Sequence, residues 1–111
     1  MRWLIAVSVL VLANAYSHAA TLDEDAVRLT EQAEAVTQKD SGNCPKMASD
    51  LRALHERNAG LIDRLRSGFQ ARPLGREYRP RMNAALSGIL AGSKSCAADR
   101  GVSDALEVLP R

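Results

Sequence analysis

The fold is decided by residues 44–69, which read CPKMASDLRALHERNAGLIDRLRSGF. Apolar or cysteine residues recur there at every third or fourth position, which places them on one face of an α-helix. The residues that share this face are Cys44, Met47, Leu51, Leu54, Asn58, Leu61, Leu65 and Phe69, widened by Ile62. Asn58 is the polar member, and with Gly60 nearby it predicts either a bend in the helix or an amide that pairs across the core. The pattern therefore predicts a helix over 45–68.

Three other segments have helical spacing, and no stretch alternates with the period of a β-strand. The first, 21–39, opens with a capping-box pattern at Thr21 and Glu24. The third predicted helix, 77–98, has its apolar stripe at Met82, Leu86, Ile89, Ser93 and Cys96, supported by Leu90 and Ala97. Gly88 and Gly92 lie on a neighbouring face, where small residues let another helix approach closely. The last predicted helix, 103–109, has Ser103 as its cap.

The first 19 residues have the layout of a secretory signal peptide. A positive start at Arg2 is followed by the apolar run 3–12 and by small residues that end at Ser17 and Ala19. The apolar run is shorter than the roughly 20 residues that span a bilayer. We therefore expect cleavage after Ala19, leaving a single secreted or periplasmic domain over 20–111 with no transmembrane segment.

The two cysteines, Cys44 and Cys96, predict one disulfide, since exported chains meet an oxidising environment. If the second and third helices form an antiparallel hairpin that turns near Pro73, both cysteines fall near its open end. The expected fold is an all-α bundle of three to four helices, built on a central hairpin that the disulfide clamps.

Charge is distributed unevenly along this chain of 111 residues, whose net charge is only +2. Residues 21–40 contain six acidic and two basic side chains, whereas 64–81 contain six arginines and one acid. The arginines of this predicted hairpin tip are Arg64, Arg66, Arg72, Arg76, Arg79 and Arg81. Two interpretations stay open: the acidic and basic segments complement each other within the molecule, or the tip binds an acidic protein or another anionic surface.

The residues offer little for catalysis or for a cofactor. His55 is the only histidine after the predicted cleavage point, and no nucleophile motif accompanies it. We therefore expect no enzyme activity, no metal site and no cofactor. An alternative is a carrier or sensor of a small ligand or haem in the bundle core, with Met47, His55, Asn58 and Met82 as contacts. Nucleic acid binding is disfavoured, because only two aromatic residues lie near the arginines.

Two segments, 44–48 (CPKMA) and 95–99 (SCAAD), with Asn58 between them and the tail 102–109, resemble a group of small exported bacterial helical proteins that carry one spaced cysteine pair. The resemblance implies an exported helical fold and carries over no functional residue. The function expected from the sequence is an exported, non-enzymatic interaction or structural domain, with its oligomeric state open.

Overall fold

In the computed structural model of the chain, the described residues are 18–109, with side chains described over 22–68 and 72–109. This range contains five α-helices, two short 3-10 turns and no strand. The helices are α1 (His18–Lys39), α2 (Cys44–Arg57), α3 (Ala59–Ala71), α4 (Arg79–Ser93) and α5 (Arg100–Glu107), and the 3-10 turns are Arg76–Tyr78 and Lys94–Cys96. The predicted small all-α fold is confirmed. Residues 1–17 of the predicted signal peptide lie outside the described residues.

Cys44 and Cys96 form the predicted disulfide, with 5.4 Å between their Cα atoms. That distance lies within the range that a bridge requires. Because α2 begins at the bridge and the 3-10 turn after α4 ends at it, the two arms joined by the 72–78 connection run antiparallel. The disulfide thus clamps the open ends of the arms, as expected.

The arms are not packed directly on each other along their length, because α1 lies between them. The most extensive helix contacts join α1 to α4, and α1 also packs against α2 and α3. Hydrogen bonds between the two helices show that α1 runs parallel to α4. Arg81 of α4 donates to Glu24 near the start of α1, and the carbonyl of Gly88, further along α4, accepts from Gln38 near the end of α1. The short helix α5 packs mainly against α2.

The central position of α1 explains why it is buried on two faces. One buried stripe contains Ala26, Leu29 and Ala33, which follow the helical spacing of three and four residues. A second buried stripe, which the sequence pattern does not reveal, consists of Asp23, Val27, Thr30 and Thr37. The two threonine hydroxyls donate to carbonyls of their own helix, Thr30 to Ala26 and Thr37 to Glu34, each at 2.8 Å. Polar side chains are therefore accommodated in the core without unpaired hydroxyls.

The small residues of α4 allow α1 to approach closely, as the sequence predicts. A Cβ atom added at Gly92 would lie 2.6 Å from Thr37 Oγ1 and 2.9 Å from the Thr37 carbonyl carbon. A Cβ atom at Gly88 would overlap the carboxylate of Glu34. Glycine is needed at Gly92, because a side chain there would meet the backbone of Thr37, whereas a side chain at Gly88 would require the Glu34 side chain to move.

The predicted helix over 45–68 is divided in two at Asn58. The Asn58 side chain donates to the Leu54 carbonyl at 2.8 Å, and its backbone amide donates to the His55 carbonyl at 3.1 Å. The side-chain amide therefore forms its hydrogen bond within its own helix and does not pair across the core. The prediction of one continuous helix over 45–68 is therefore wrong, because the helix is interrupted at Asn58.

Three local predictions are wrong. Thr21 is not a cap, because α1 already begins at His18, and the Glu24 carboxylate pairs instead with Arg28 and Arg81. The cap of α5 is Asp99, whose carboxylate accepts from the Val102 amide at 3.0 Å, so the helix starts three residues earlier than expected from Ser103.

The third wrong prediction concerns the support that Leu90 and Ala97 were expected to give the core. The structure leaves Leu90 73% exposed, and Ala97 is exposed as well. The side of α4 that packs on α1 is the glycine side, so Leu90 points away from that contact.

No helix in the described range is both long and apolar enough to cross a membrane.

Candidate interaction surface at the arginine-rich tip

The arginine-rich tip, residues 64–81, is formed by the end of α3, the 72–78 connection and the start of α4. The acidic start of α1 lies against it. Asp23, only 2% exposed, accepts from Arg72 Nη2 at 3.0 Å and from the Gly75 amide at 3.3 Å. One carboxylate therefore binds both a guanidinium and the backbone of the connection, which anchors the tip to α1.

Arg81 is the second internally paired arginine. Its Nη1 atom donates to Glu24 and its Nη2 atom donates to Glu31, both at 2.8 Å. These bonds raise the pKa of Arg81, with Glu31 contributing most. The same contact with Arg81 lowers the pKa of Glu24 from its ordinary value, with a smaller contribution from Arg28. The predicted complementarity between the acidic and basic segments thus exists at Arg72 and Arg81.

The other four arginines of the tip are differently placed. Arg64, Arg66, Arg76 and Arg79 are exposed. Among the residues that the structure describes, none of these four takes part in an ion pair. Arg64 and Arg66 flank the buried Leu65 on α3, whereas Arg76 and Arg79 follow the connection. The tip therefore contains two arginines with internal carboxylate partners and four that face solvent.

The residues of the alternative ligand site do not converge on one described cavity. Met47 is fully buried and Met82 is 7% exposed, and both belong to the apolar core. The Nε2 atom of His55 is buried without a hydrogen-bond partner, and burial lowers the pKa of this imidazole. Asn58 lines a surface groove between α1 and α2. Neither groove described on residues 22–109 joins these four residues, so a carrier site in the core stays a prediction.

A carboxylate cluster at the opposite end of the bundle was not predicted. Asp40 is 4% exposed, and Lys46 Nζ lies 3.6 Å from its carboxylate and 2.8 Å from that of Asp50. Burial raises the pKa of Asp40, whereas the hydrogen bond from Lys46 lowers the pKa of Asp50 to about 2. The cluster joins the end of α1 to the start of α2 beside the disulfide. Asp40 lay outside every predicted apolar stripe, so no sequence signal indicated its burial.

A second unpredicted feature is an apolar groove of about 410 Å³ between α4 and α5. Its lining is Leu86, Ile89, Leu90, Ser103, Leu106, Glu107 and Leu109. Leu90, the exposed leucine that the helical pattern placed near the core, borders this groove.

Among the described residues, no group of three or more His, Cys, Asp or Glu side chains is arranged to hold a metal ion. Comparison of the chain with protein-family models, with curated proteins and with solved structures finds no match.

Proposed function

We propose that this chain is an exported, non-enzymatic interaction domain that binds an acidic protein or another anionic surface through its arginine-rich tip. The observation that carries the proposal is the division of the six arginines. Arg72 and Arg81 bind the acidic side chains of α1, while Arg64, Arg66, Arg76 and Arg79 stay exposed and outside the ion pairs of the described residues. The paired arginines hold the tip in place, and the exposed ones are available to a partner.

The chemistry of the exposed side chains supports an anionic partner. Guanidinium groups donate in a planar fork that matches carboxylates and phosphates, and they stay charged at any physiological pH. A single exposed ion pair contributes only about 0–1 kcal/mol, so several arginines must act together. A tip anchored by the Asp23 carboxylate presents them from a fixed position, which limits the entropy lost on binding.

Two further observations support the remaining parts of the proposal. The disulfide is compatible with an oxidising compartment, and export itself rests on the signal-peptide pattern. The non-enzymatic part rests on the scarcity of catalytic groups: His55 is the only histidine in 22–109, and its buried Nε2 atom has no partner that would form a catalytic pair.

The test compares two variants that lose the same charge. The tip variant replaces three exposed arginines by glutamine: Arg66→Gln, Arg76→Gln and Arg79→Gln. The control variant changes three exposed cations elsewhere: Arg52→Gln, Lys94→Gln and Arg100→Gln. Binding is measured to polyglutamate and to phosphatidylcholine vesicles with and without phosphatidylglycerol, at low and at physiological salt.

We expect salt-sensitive binding to at least one anionic probe, and a loss of about tenfold or more in the tip variant alone. Equal losses of affinity in the two variants would show that binding depends only on net charge, which would contradict the proposal. Failure of the unaltered protein to bind any of these probes at low salt would also contradict it.

A further inference from the structure

A groove on the surface of the bundle lies where α1 crosses the interruption between α2 and α3. It has a volume of about 470 Å³ and is lined by Gln32, Ala35, Val36, Leu54, Arg57 and Asn58. Grooves of several hundred Å³ are large enough for a small organic ligand. None of the arginines of the tip lines this groove, so it is separate from the proposed interaction surface.

The lining residues divide into an apolar and a polar part. Ala35, Val36 and Leu54 supply the apolar part, and Leu54 is itself a core residue with 3% exposure. The polar part consists of Gln32, Arg57 and Asn58, which carry a guanidinium and two side-chain amides. Apolar walls with a small number of polar groups are typical of sites for small molecules, because the polar groups orient the ligand while the walls bind its apolar part.

A single arginine determines the charge of this site. The carboxyl end of α2 and the amino end of α3 meet at Asn58, so their opposite helix dipoles largely offset each other there. Arg57 is exposed and forms no ion pair with any described residue. It is the only charged residue of the lining, so the groove favours an anion.

The amide of Asn58 is held in a defined orientation. Its Nδ2 atom donates to the Leu54 carbonyl at 2.8 Å, which joins a polar residue of the lining to an apolar one. A ligand therefore meets a polar group that is already oriented, and less conformational entropy is lost when it binds.

We propose that this groove binds a small monocarboxylate with a short apolar chain. The carboxylate pairs with Arg57, the amides of Gln32 and Asn58 hydrogen-bond to it, and the apolar chain packs on Val36 and Leu54. One guanidinium matches the single charge of a carboxylate, whereas a phosphate group with up to two charges would call for more cations than the lining supplies.

The experiment is a titration of the disulfide-bonded chain with hexanoate and, separately, with the uncharged hexanamide. Nuclear magnetic resonance follows the side-chain amides of Gln32 and Asn58 and the side chain of Arg57. We expect hexanoate to shift these signals with a dissociation constant of about a millimolar, as befits a ligand of this size. Affinity should rise about threefold to fourfold with each added methylene until the apolar part is filled.

Two variants separate the site from general charge effects. Arg57→Gln should weaken hexanoate about tenfold and leave hexanamide unchanged, because only the charged ligand pairs with the guanidinium. Arg52→Gln, on the same helix but outside the groove, is the matched control and should leave both affinities unchanged. Thermal unfolding of each variant shows whether it is folded.

The carboxylate can belong to a free acid or to the last residue of a peptide, and a third titration separates these sources. Tighter binding of the peptide Gly-Gly-Leu than of hexanoate indicates a peptide terminus, and weaker binding indicates a free acid. Equal affinities for hexanoate and hexanamide, shifts confined to the α4–α5 groove, or an Arg57→Gln variant that binds hexanoate normally would each overturn the proposal.

Discussion

The close contact between α1 and α4 predicts the stability of three glycine-to-alanine variants. In Gly92→Ala the new Cβ lies 2.6 Å from Thr37 Oγ1 and 2.9 Å from its carbonyl carbon, well inside the 3.5–4.0 Å or so of an ordinary contact. Thr37 is fully buried and its hydroxyl is already bonded to the Glu34 carbonyl, so it cannot move aside. Such overpacking costs about 1–3 kcal/mol, which the gain of about 1 kcal/mol in helix propensity offsets only in part.

Gly60→Ala is the matched control, because Gly60 also lies in a helix but a Cβ there meets no atom within 4 Å. It should stabilise the fold by about 0.5–1 kcal/mol through helix propensity alone. Gly88→Ala should fall between the two, because the atoms that it meets belong to the partly exposed side chain of Glu34, which can turn toward solvent.

The assay is urea unfolding of the three variants and the unaltered protein, supported by thermal melting. The free energies of unfolding of Gly92→Ala and Gly60→Ala should differ by about 1–3 kcal/mol, or about 4–8 °C in Tm for each kcal/mol. Equal stabilities of these two variants would refute the close packing of α1 on α4.

Three further predictions concern the disulfide, an internal ion pair and the buried histidine. Replacing Cys44 and Cys96 by alanine opens a loop of 52 residues and should cost about 4 kcal/mol in urea unfolding; a loss below about 1 kcal/mol would contradict this. Asp23→Ala leaves Arg72 without that carboxylate and should cost about 1–3 kcal/mol; an unchanged unfolding midpoint would contradict the anchoring role. Burial lowers the pKa of His55, so the unfolded chain binds a proton more readily than the folded one, and the free energy of unfolding should fall as pH decreases below about 6.5. His55→Gln should lessen that fall in melting curves recorded across this pH range. An identical pH profile of the variant and the unaltered protein would exclude the effect.

The helices and the bridge could be predicted because their signals are local. Apolar spacing of three and four residues identifies a helix whatever it packs against, and two cysteines allow one pairing. At Asn58 the sequence predicted a bend or an amide paired across the core, and it did not predict two separate helices. The predictions for Thr21, Ser103 and Leu90 failed because caps and exposure depend on neighbours: Asp99 competes as a cap, and the glycine side of α4 takes the contact with α1.

The candidate site was predictable only in composition. Six arginines in 64–81 indicate a basic surface, but the sequence left open whether acidic residues some 50 positions away neutralise it. The groove at Arg57 had no sequence signal, because its lining comes from α1 and α2 and from the point where the helix is interrupted.

By itself the sequence determined an all-α chain with a cysteine pair, an acidic first helix and a basic tip, because each of these depends on the order of residues along a single segment. Only the tertiary structure placed α1 between the two arms. That placement buries Asp23 against Arg72 and brings Arg81 between Glu24 and Glu31. Charge pairing depends on distances of a few ångströms between segments that are remote in sequence, so the fold decides which arginines are paired and which remain exposed to solvent.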